Sequence, residues 1–400
     1  MDNAVTKRLF LFLLVVGVLV LSYHLHNQSS QMNLPRYGIP KGVPRRNDPA
    51  TTAISQLSPS NSSTPFKPRT SLLFVKTHKT GSTTVGNILN RYGYTRNLSF
   101  LLYKKDRFEI GQFLQHIPTR LREVFPPIGV KDGDYANYRN YDFMTAHCRF
   151  LPSLKFFKVV MRPDTKYITI LRHPVQQWES TFFFFKCNPK IKGKNGSSEI
   201  DEFFRSTTSY VKSFRGNCKY YIRNGQWYDL SADDRIHTNK MVISDTLRIL
   251  DRELDLVLLL EYFDESLLLL KRLMGWDFSD ILYIRANERV AKSEITEKQR
   301  VKISAWNMAD VALYRHFNQT LWRKLAEYGS KLESDLIHFR DMLSVHQKTC
   351  GLQSQKTKFR KVYAYSVTNS TGFCQNLDGV SNEKVVHRQS TKTNGTKGDI

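Results

Sequence analysis

An apolar run that leads directly into a loop of lysines, hydroxyls and one glycine is the feature that most limits how this chain can fold. Residues 72–75 read Leu-Leu-Phe-Val, and residues 76–84 read Lys-Thr-His-Lys-Thr-Gly-Ser-Thr-Thr. The pattern predicts a buried strand, a tight loop and the first turn of a helix. Because N–H groups at a helix start carry partial positive charge, such a loop can hold a phosphate or sulfate. A lysine-rich surface turn that only caps a helix is the plainer alternative.

The order of residues in this loop separates it from the common nucleotide loops. A Walker loop places its lysine directly after a glycine, whereas Lys79 precedes Gly81 by two positions. The Lys-x-Gly-x-Thr order instead resembles the 5'-phosphosulfate loop of sulfotransferases, so a kinase or nucleotide hydrolase is disfavoured. The loop residues that are candidates for binding the anion are Lys76, Thr77, Lys79, Thr80, Gly81, Ser82, Thr83 and Thr84.

Short apolar runs alternate with helix-like stretches through the middle of the chain. The predicted strands are residues 71–75, 141–146, 166–171 and 254–260. The predicted helices are residues 82–90, 175–185, 265–274 and one long segment over about 296–343. Apolar strands without alternation, separated by helices, are typical of an α/β domain with a mainly parallel sheet flanked by helices.

The ends of the predicted strands carry the candidate functional residues, because ligands bind beyond the carboxyl ends of parallel strands. The first strand ends in the lysine loop, the second at His147 and the third at Arg172. Pro174 opens the next helix, which places Ser180 inside it, eight residues after Arg172. Arg172 and Ser180 could grip one phosphate. The alternative is an arginine that pairs with a carboxylate at the sheet edge and a serine in the first turns of a helix.

Charge and the N-terminal segment indicate the compartment and the class of partner. Lys+Arg 60 against Asp+Glu 36 gives a net charge of +24, which favours anionic ligands and surfaces. An apolar segment after Lys7 and Arg8 predicts a membrane anchor with the rest of the chain in the lumen, which argues against nucleic acid. A cleaved signal peptide is the alternative. The predicted divisions are a cytosolic tail at 1–8, a signal anchor at 9–25, a flexible luminal stem at 26–69, a catalytic domain at 70–375 and a disordered tail at 376–400.

Glycosylation signals and cysteines agree with a luminal address. Seven Asn-x-Ser/Thr sites are present, and the five cysteines would meet an oxidising environment. Cys187 with Cys218, and Cys350 with Cys374, are plausible pairs by proximity that would leave Cys148 free, although spacing alone does not fix connectivity. We predict no metal site, because the metal-ligand spacings of cysteine and histidine are missing from the sequence.

Three stretches together resemble one family. Residues 74–84, 170–174 and 261–267, with Trp276 beyond them, are similar to the Golgi galactose-3-O-sulfotransferases, and the likeness runs from residue 71 to about 328. The resemblance implies a P-loop-like sulfotransferase fold, 3'-phosphoadenosine 5'-phosphosulfate as co-substrate, and a terminal β-galactose of a glycolipid or glycoprotein as acceptor. It also implies a single-pass type II protein of the Golgi membrane, and it leaves a homodimer open. In sulfotransferases a strand-ending arginine and a serine eight residues later bind the 3'-phosphate, which matches Arg172 and Ser180.

Sulfonate transfer needs charge stabilisation and one base. Lys79 is the candidate for stabilising the bridging oxygen of the donor. His147 is the preferred base, because its strand end resembles the Gly-His strand end that supplies the base in some Golgi glycan sulfotransferases, with alanine here in place of that glycine. His78 is the other candidate and would otherwise orient donor or acceptor. The remaining alternatives are a glycosaminoglycan or tyrosine acceptor, and a glycan-binding protein without catalysis.

Overall fold

The computed structural model describes the chain in ten stretches, and all structural statements below refer to them. They are residues 67–104, 121–187, 196–231, 238–284, 288–289, 294–356, 362–369, 372–377, 379–380 and 382–394. The predicted cytosolic tail and signal anchor lie outside the described residues, as does the predicted stem up to residue 66. Within these ten stretches, none of the helices has both the length and the apolar character needed to cross a bilayer.

A four-stranded parallel sheet forms the centre of the fold. Its strands are β1 (Leu72–Val75), β2 (Phe143–Met144), β3 (Lys166–Leu171) and β4 (Leu256–Leu259). They lie in the order β2-β1-β3-β4, and each neighbouring pair is parallel. β1, β2 and β4 are buried along their whole length, which explains why their sequences are continuously apolar. The prediction of an α/β domain with a mainly parallel sheet is confirmed.

Helices cover and connect these strands. The first six are α1 (Ser82–Thr95), α2 (Phe150–Val160), α3 (Pro174–Phe184), α4 (Gly196–Arg205), α5 (Thr207–Ser213) and α6 (Asn217–Tyr221). The next six are α7 (Gly225–Leu230), α8 (Lys240–Glu253), α9 (Phe263–Met274), α10 (Glu297–Trp306), α11 (Met308–Tyr328) and α12 (Lys331–Thr349). α1 and α3 each follow a strand that ends at the candidate site, so the sheet positions both helix starts.

The single long helix predicted over residues 296–343 is wrong in its continuity. The segment forms α10, α11 and α12, with breaks at Asn307 and Gly329. Gly329 has a φ of +83°, a left-handed conformation that glycine adopts without strain. At Asn307 the side-chain oxygen accepts from Asn224 N at 2.7 Å, a contact with a residue 83 positions earlier in the chain.

A second, smaller sheet and a last helix lie outside the central sheet. A second sheet has the antiparallel order β5-β7-β6, formed by β5 (Glu288–Arg289), β6 (Leu352–Lys356) and β7 (Val362–Val367). A further helix, α13 (Asn382–Asn394), follows it. In α13, Gln389 is buried, accepts from Phe100 N at 2.8 Å and donates to Phe100 O at 2.9 Å. α13 lies within residues 376–400, and its one buried glutamine docks against the backbone of the domain.

Both suggested cysteine pairs are disulfides in the structure. Cys187 joins Cys218, and Cys350 joins Cys374, while Cys148 is a buried free thiol. The first bridge ties the residues after α3 to α6, and the second ties the end of α12 to the residues after β7. The pairing by proximity is confirmed.

Candidate active site

The loop after β1 passes through two left-handed backbone positions. Lys79 has a φ of +64°, and Gly81, which precedes α1, has a φ of +80°. A Cβ atom at Gly81 would lie 2.6 Å from Cδ1 of Leu260, the residue after β4. Glycine is therefore needed at this position both for its φ and for the close approach of the loop to the end of β4.

Several loop hydroxyls bond within the protein. Thr77 Oγ1 lies 2.8 Å from Thr80 Oγ1 and also donates to the carbonyl of Ile170 in β3. Ser82 Oγ donates to Thr77 O at 2.7 Å. These three side chains brace the loop from within, and their role in anion binding stays a prediction. Thr84 is buried as well, whereas Thr83 at the start of α1 is partly exposed.

The predicted cations surround the same loop. Arg172 Nη1 donates to Lys79 O at 3.3 Å, so the end of β3 meets the loop after β1. Lys79 Nζ lies 3.2 Å from the ring centroid of Phe184 at the end of α3. Burial lowers the pKa of Lys76 to about 8. Since burial disfavours the charged ammonium, an anion held near Lys76 would raise that pKa again.

Ser180 lies on the face of α3 that is turned towards the loop. Three residues before it, Gln177 Nε2 donates to His78 O at 3.0 Å, and four residues after it Phe184 lies under the Lys79 ammonium. Helix residues three and four apart share a face. The structure therefore brings Ser180 to the same side as Lys79 and Arg172, while its role in phosphate binding stays a prediction.

The two candidate bases lie in one stack of rings. The His78 ring is sandwiched between His147, at a centroid distance of 3.9 Å, and Tyr221, at 3.8 Å. Asp229 accepts from His78 N at 2.7 Å and lies 3.0 Å from His78 Nδ1. His147 Nδ1 lies 2.6 Å from Lys76 O and must donate to that carbonyl. In both rings Nδ1 is held by an oxygen of the protein.

The surroundings of these two imidazoles differ in charge. Burial, followed by the neighbouring His78 and then Lys76, holds the pKa of His147 well below its usual range. His78 instead faces the buried carboxylate of Asp229. A carboxylate next to an imidazole stabilises the protonated ring that forms when the imidazole accepts a proton. Of the two imidazoles, His78 is the one whose Nδ1 lies against a carboxylate.

A carboxylate that follows β4 bonds to the backbone that follows β3. Glu261, two residues after β4, accepts from His173 N at 2.8 Å and from the Tyr314 hydroxyl at 3.1 Å. Burial raises the pKa of this carboxyl, and the two hydrogen bonds and the charge of Arg172 oppose that rise. The carboxyl ends of β3 and β4 are thus joined next to Arg172.

Comparison with known proteins decides the family. The family model described as galactose-3-O-sulfotransferase matches residues 2–357, which is more than half of the chain. The chain belongs to the galactose-3-O-sulfotransferase family. Galactose-3-O-sulfotransferase 2 from Homo sapiens is 33% identical over 268 residues, covering 66% of this chain and 63% of the relative. Galactosylceramide sulfotransferase from Bos taurus is 32% identical over 267 residues, covering 66% of this chain and 59% of the relative.

The relatives match this chain over only part of their own length. This member of the galactose-3-O-sulfotransferase family spans about three fifths of the length of the curated relatives named here, from 63% and 59% coverage. A solved sulfotransferase from Alicyclobacillus acidocaldarius has 15% identity and a TM-score of 0.34, with 62% of this chain and 96% of that chain covered, and a similarity this low supports no conclusion. β7 and α13 lie beyond residue 357, where the family match ends.

Sequence reasoning missed the residues that surround His78 in this galactose-3-O-sulfotransferase family member. Asp229 and Tyr221 lie in the short helices α7 and α6, which follow no predicted strand, and Gln177 lies within α3. One local signal was available, because Asp229 is the single charged residue of the stretch 225–231, Gly-Gln-Trp-Tyr-Asp-Leu-Ser. A lone acid in an apolar setting is usually buried with a partner.

Proposed function

We propose that this protein transfers a sulfonate group from 3'-phosphoadenosine 5'-phosphosulfate to the 3-hydroxyl of a terminal β-galactose on glycolipid or glycoprotein glycans. One observation carries the proposal: the contact of Arg172 with the backbone of Lys79, next to the paired His78 and Asp229. It supports the proposal because Arg172, Lys79 and His78 then lie together at one edge of the sheet, where a donor with two phosphate groups would need them. The choice of galactose is supported by the family to which the chain belongs.

The residues at this edge fit a donor with anionic groups at both ends. Lys76 is a buried cation, and burial lowers its pKa to about 8. Lys79, with the N-terminus of α1, would hold the 5'-phosphosulfate, and Arg172 with Ser180 would hold the 3'-phosphate. Gly81 allows the left-handed turn that leads into α1, and with it the loop that would surround the 5'-phosphosulfate.

The chemistry follows from these positions. The oxygen of the galactose 3-hydroxyl attacks sulfur, its proton passes to His78 Nε2, and the bond between sulfur and the bridging oxygen of the donor breaks. Lys79 and the N–H groups of α1 stabilise the negative charge that develops on that oxygen. The products are galactose 3-sulfate and adenosine 3',5'-bisphosphate. Asp229 keeps Nδ1 of His78 protonated and stabilises the imidazolium.

His78 is proposed as the base, with His147 as a packing partner of its ring. His147 and Tyr221 hold the plane of the His78 ring from both sides, and Asp229 holds its Nδ1, so the orientation of the ring is fixed. The sequence-based preference for His147 stays a prediction, because a neutral imidazole with a free lone pair can also accept a proton.

The Golgi membrane is the proposed location, with a single-pass type II anchor at residues 9–25 and the catalytic domain in the lumen. The apolar segment after Lys7 and Arg8 supports this, as do the Asn-x-Ser/Thr sites. The two disulfides also fit an oxidising compartment. A homodimer stays an expectation from the family.

The test is a transfer assay with a panel of acceptors. The full-length chain, purified in detergent, is incubated with sulfur-labelled donor and with β-galactosides, galactosylceramide, lactosylceramide, heparan or tyrosine peptides, next to the Lys79→Ala variant. We expect label on terminal β-galactose with the wild-type chain and none with the variant. Label on heparan or tyrosine instead would assign a different acceptor, and galactoside binding without label would indicate a non-catalytic glycan-binding protein.

A further inference from the structure

Helices α7 and α11 cap each other at their N-terminal ends. Asp310, at the third position of α11, accepts from Trp227 N at 2.7 Å and from Gln226 N at 3.3 Å. Asn224, directly before α7, accepts in return from Ala309 N at 3.1 Å and from Asp310 N at 3.2 Å. The first N–H groups of a helix have no partner within the helix, so each helix start here is satisfied by the other.

Gln226, the second residue of α7, extends this buried network to the end of β3. Its Oε1 accepts from Arg172 N at 2.8 Å, and its Nε2 donates to Arg172 O at 2.9 Å. One side chain therefore pairs with both backbone groups of Arg172, in the manner of a neighbouring strand. Gln226 is fully buried, so no water competes for these two bonds.

The same helix also holds the candidate base. Asp229 lies three residues after Gln226 and bonds the backbone N–H and the ring of His78. α7 thus has one contact with the proposed phosphate ligand, through Gln226, and another with the imidazole, through Asp229. Buried polar groups are costly to leave unpaired, so removal of either contact affects a specific part of the site.

We propose that Gln226 is a positioning residue for donor binding, which fixes the backbone of Arg172 so that the guanidinium meets the 3'-phosphate of the donor. The mutual caps of α7 and α11 keep Gln226 in place relative to the sheet. This inference rests on the proposed function. Gln226 touches neither substrate, and it acts through Arg172.

Gln389 in α13 offers a closely matched control. It is buried, accepts from Phe100 N at 2.8 Å and donates to Phe100 O at 2.9 Å, the same two bonds at the same lengths. Gln389 also donates to Pro126 O at 2.7 Å. Replacing either glutamine by methionine removes a bidentate contact with one residue's backbone, but only Gln226 contacts Arg172.

The experiment compares Gln226→Met with Gln389→Met in the full-length chain. Adenosine 3',5'-bisphosphate is titrated by calorimetry, unfolding is followed in denaturant, and the donor KM and kcat are measured. We expect both variants to lose stability. We expect only Gln226→Met to weaken bisphosphate binding. The loss should be about tenfold or more, because a displaced Arg172 would lose one hydrogen bond to the charged phosphate. Its donor KM should rise by the same factor, while kcat stays within about threefold of wild type.

The outcomes separate the inference from the function on which it rests. If the wild-type chain does not bind adenosine 3',5'-bisphosphate, the proposed function fails. If the wild type binds and Gln226→Met binds as tightly as Gln389→Met, the inference is overturned. Gln226→Glu serves as the second variant should Gln226→Met not fold. The introduced carboxylate has the same size as the amide, but it cannot donate to Arg172 O and repels that oxygen. Unchanged bisphosphate affinity in that variant therefore also overturns the inference.

Discussion

Single residues at the candidate site take their chemistry from burial and from one or two partners. The Lys76 ammonium is buried and its pKa is lowered to about 8, whereas His78 lies against the carboxylate of Asp229. The proposed function uses the first as a cation for an anionic ligand and the second as the proton acceptor.

Removal of the Lys79 ammonium should abolish most of the transfer rate. Lys79→Ala takes away the cation proposed to stabilise the bridging oxygen, so we expect kcat to fall about 100-fold or more. The measurement is kcat at saturating donor and acceptor. Lys104→Ala is the control, because its ammonium pairs with Asp132 on the surface, and it should leave kcat unchanged. A Lys79→Ala variant with near wild-type kcat would contradict the proposed role.

Substitution of the two histidines should distinguish the base. We expect His78→Ala to lower kcat by about 100-fold or more, because the proton acceptor is lost. Asp229→Asn should also lower kcat, since the imidazolium loses its carboxylate, and should leave adenosine 3',5'-bisphosphate affinity unchanged. His147→Ala should have a smaller effect through the ring stack. The reverse order of the two histidine variants would identify His147 as the base, as the sequence predicted.

Donor affinity should decline as pH rises through about 8. The pKa of Lys76 in the unliganded protein is lowered to about 8, so the ammonium is charged below that pH and neutral above it. A neutral lysine does not attract the donor phosphates, and the dissociation constant of adenosine 3',5'-bisphosphate should rise on the alkaline side. Calorimetric titrations at several pH values on either side of about 8 provide the measurement. Lys76→Met should bind more weakly and show no change near that pH.

At the scale of elements, the sequence predicted those strands and helices whose positions are determined by a local pattern of residues. β3 is found at the predicted residues, and α3 begins at Pro174, one residue before the prediction, because a run of apolar residues and a proline are local signals. The predicted single helix over 296–343 failed at Asn307, whose side-chain contacts are set by residues far away in the chain. Asp229 was missed for the same reason, since its partner His78 lies 151 positions earlier.

The disulfide after α3 should matter for activity as well as for stability. Cys187–Cys218 closes 31 positions and holds α6, whose last residue Tyr221 stacks on His78. Replacing both cysteines by alanine should lower the free energy of unfolding by about 3 kcal/mol and also lower kcat. Denaturant titration and steady-state kinetics are the measurements.

The second disulfide is the matched control for this variant. Cys350–Cys374 closes 24 positions and ends outside the ring stack. Its double alanine variant should lose a similar free energy of unfolding, about 3 kcal/mol, and retain kcat under conditions where it is folded. Equal loss of kcat in both double variants would show that the first bridge acts through stability alone.

At the scale of the whole molecule, the fully buried carboxyl of Asp310 joins α11 to α7 and makes the free energy of unfolding depend on pH. Burial raises the pKa of Asp310 from 3.8 to about 7 in the folded protein, against the opposing effect of the N–H groups of Trp227 and Gln226. The folded state therefore binds a proton more tightly than the unfolded state does.

Stability from Asp310 should be present below about pH 4 and should be lost as pH rises through about 7. We expect the free energy of unfolding to fall over this window by a few kcal/mol from this group. Asp310→Asn, whose side-chain oxygen can still accept from α7, should flatten that pH dependence. Denaturant titrations at several pH values for both proteins provide the comparison, and identical slopes would contradict the assignment.

The docking of Gln389 on Phe100 has a consequence for how the protein is made. Asn90 in α1 also donates to Val380 O at 3.2 Å, across 290 positions of sequence. During translation, α1 and Phe100 emerge from the ribosome long before Val380 and Gln389 are synthesised. The domain therefore completes its packing only after these late residues have been synthesised, and until then α1 and Phe100 each lack one of their supports.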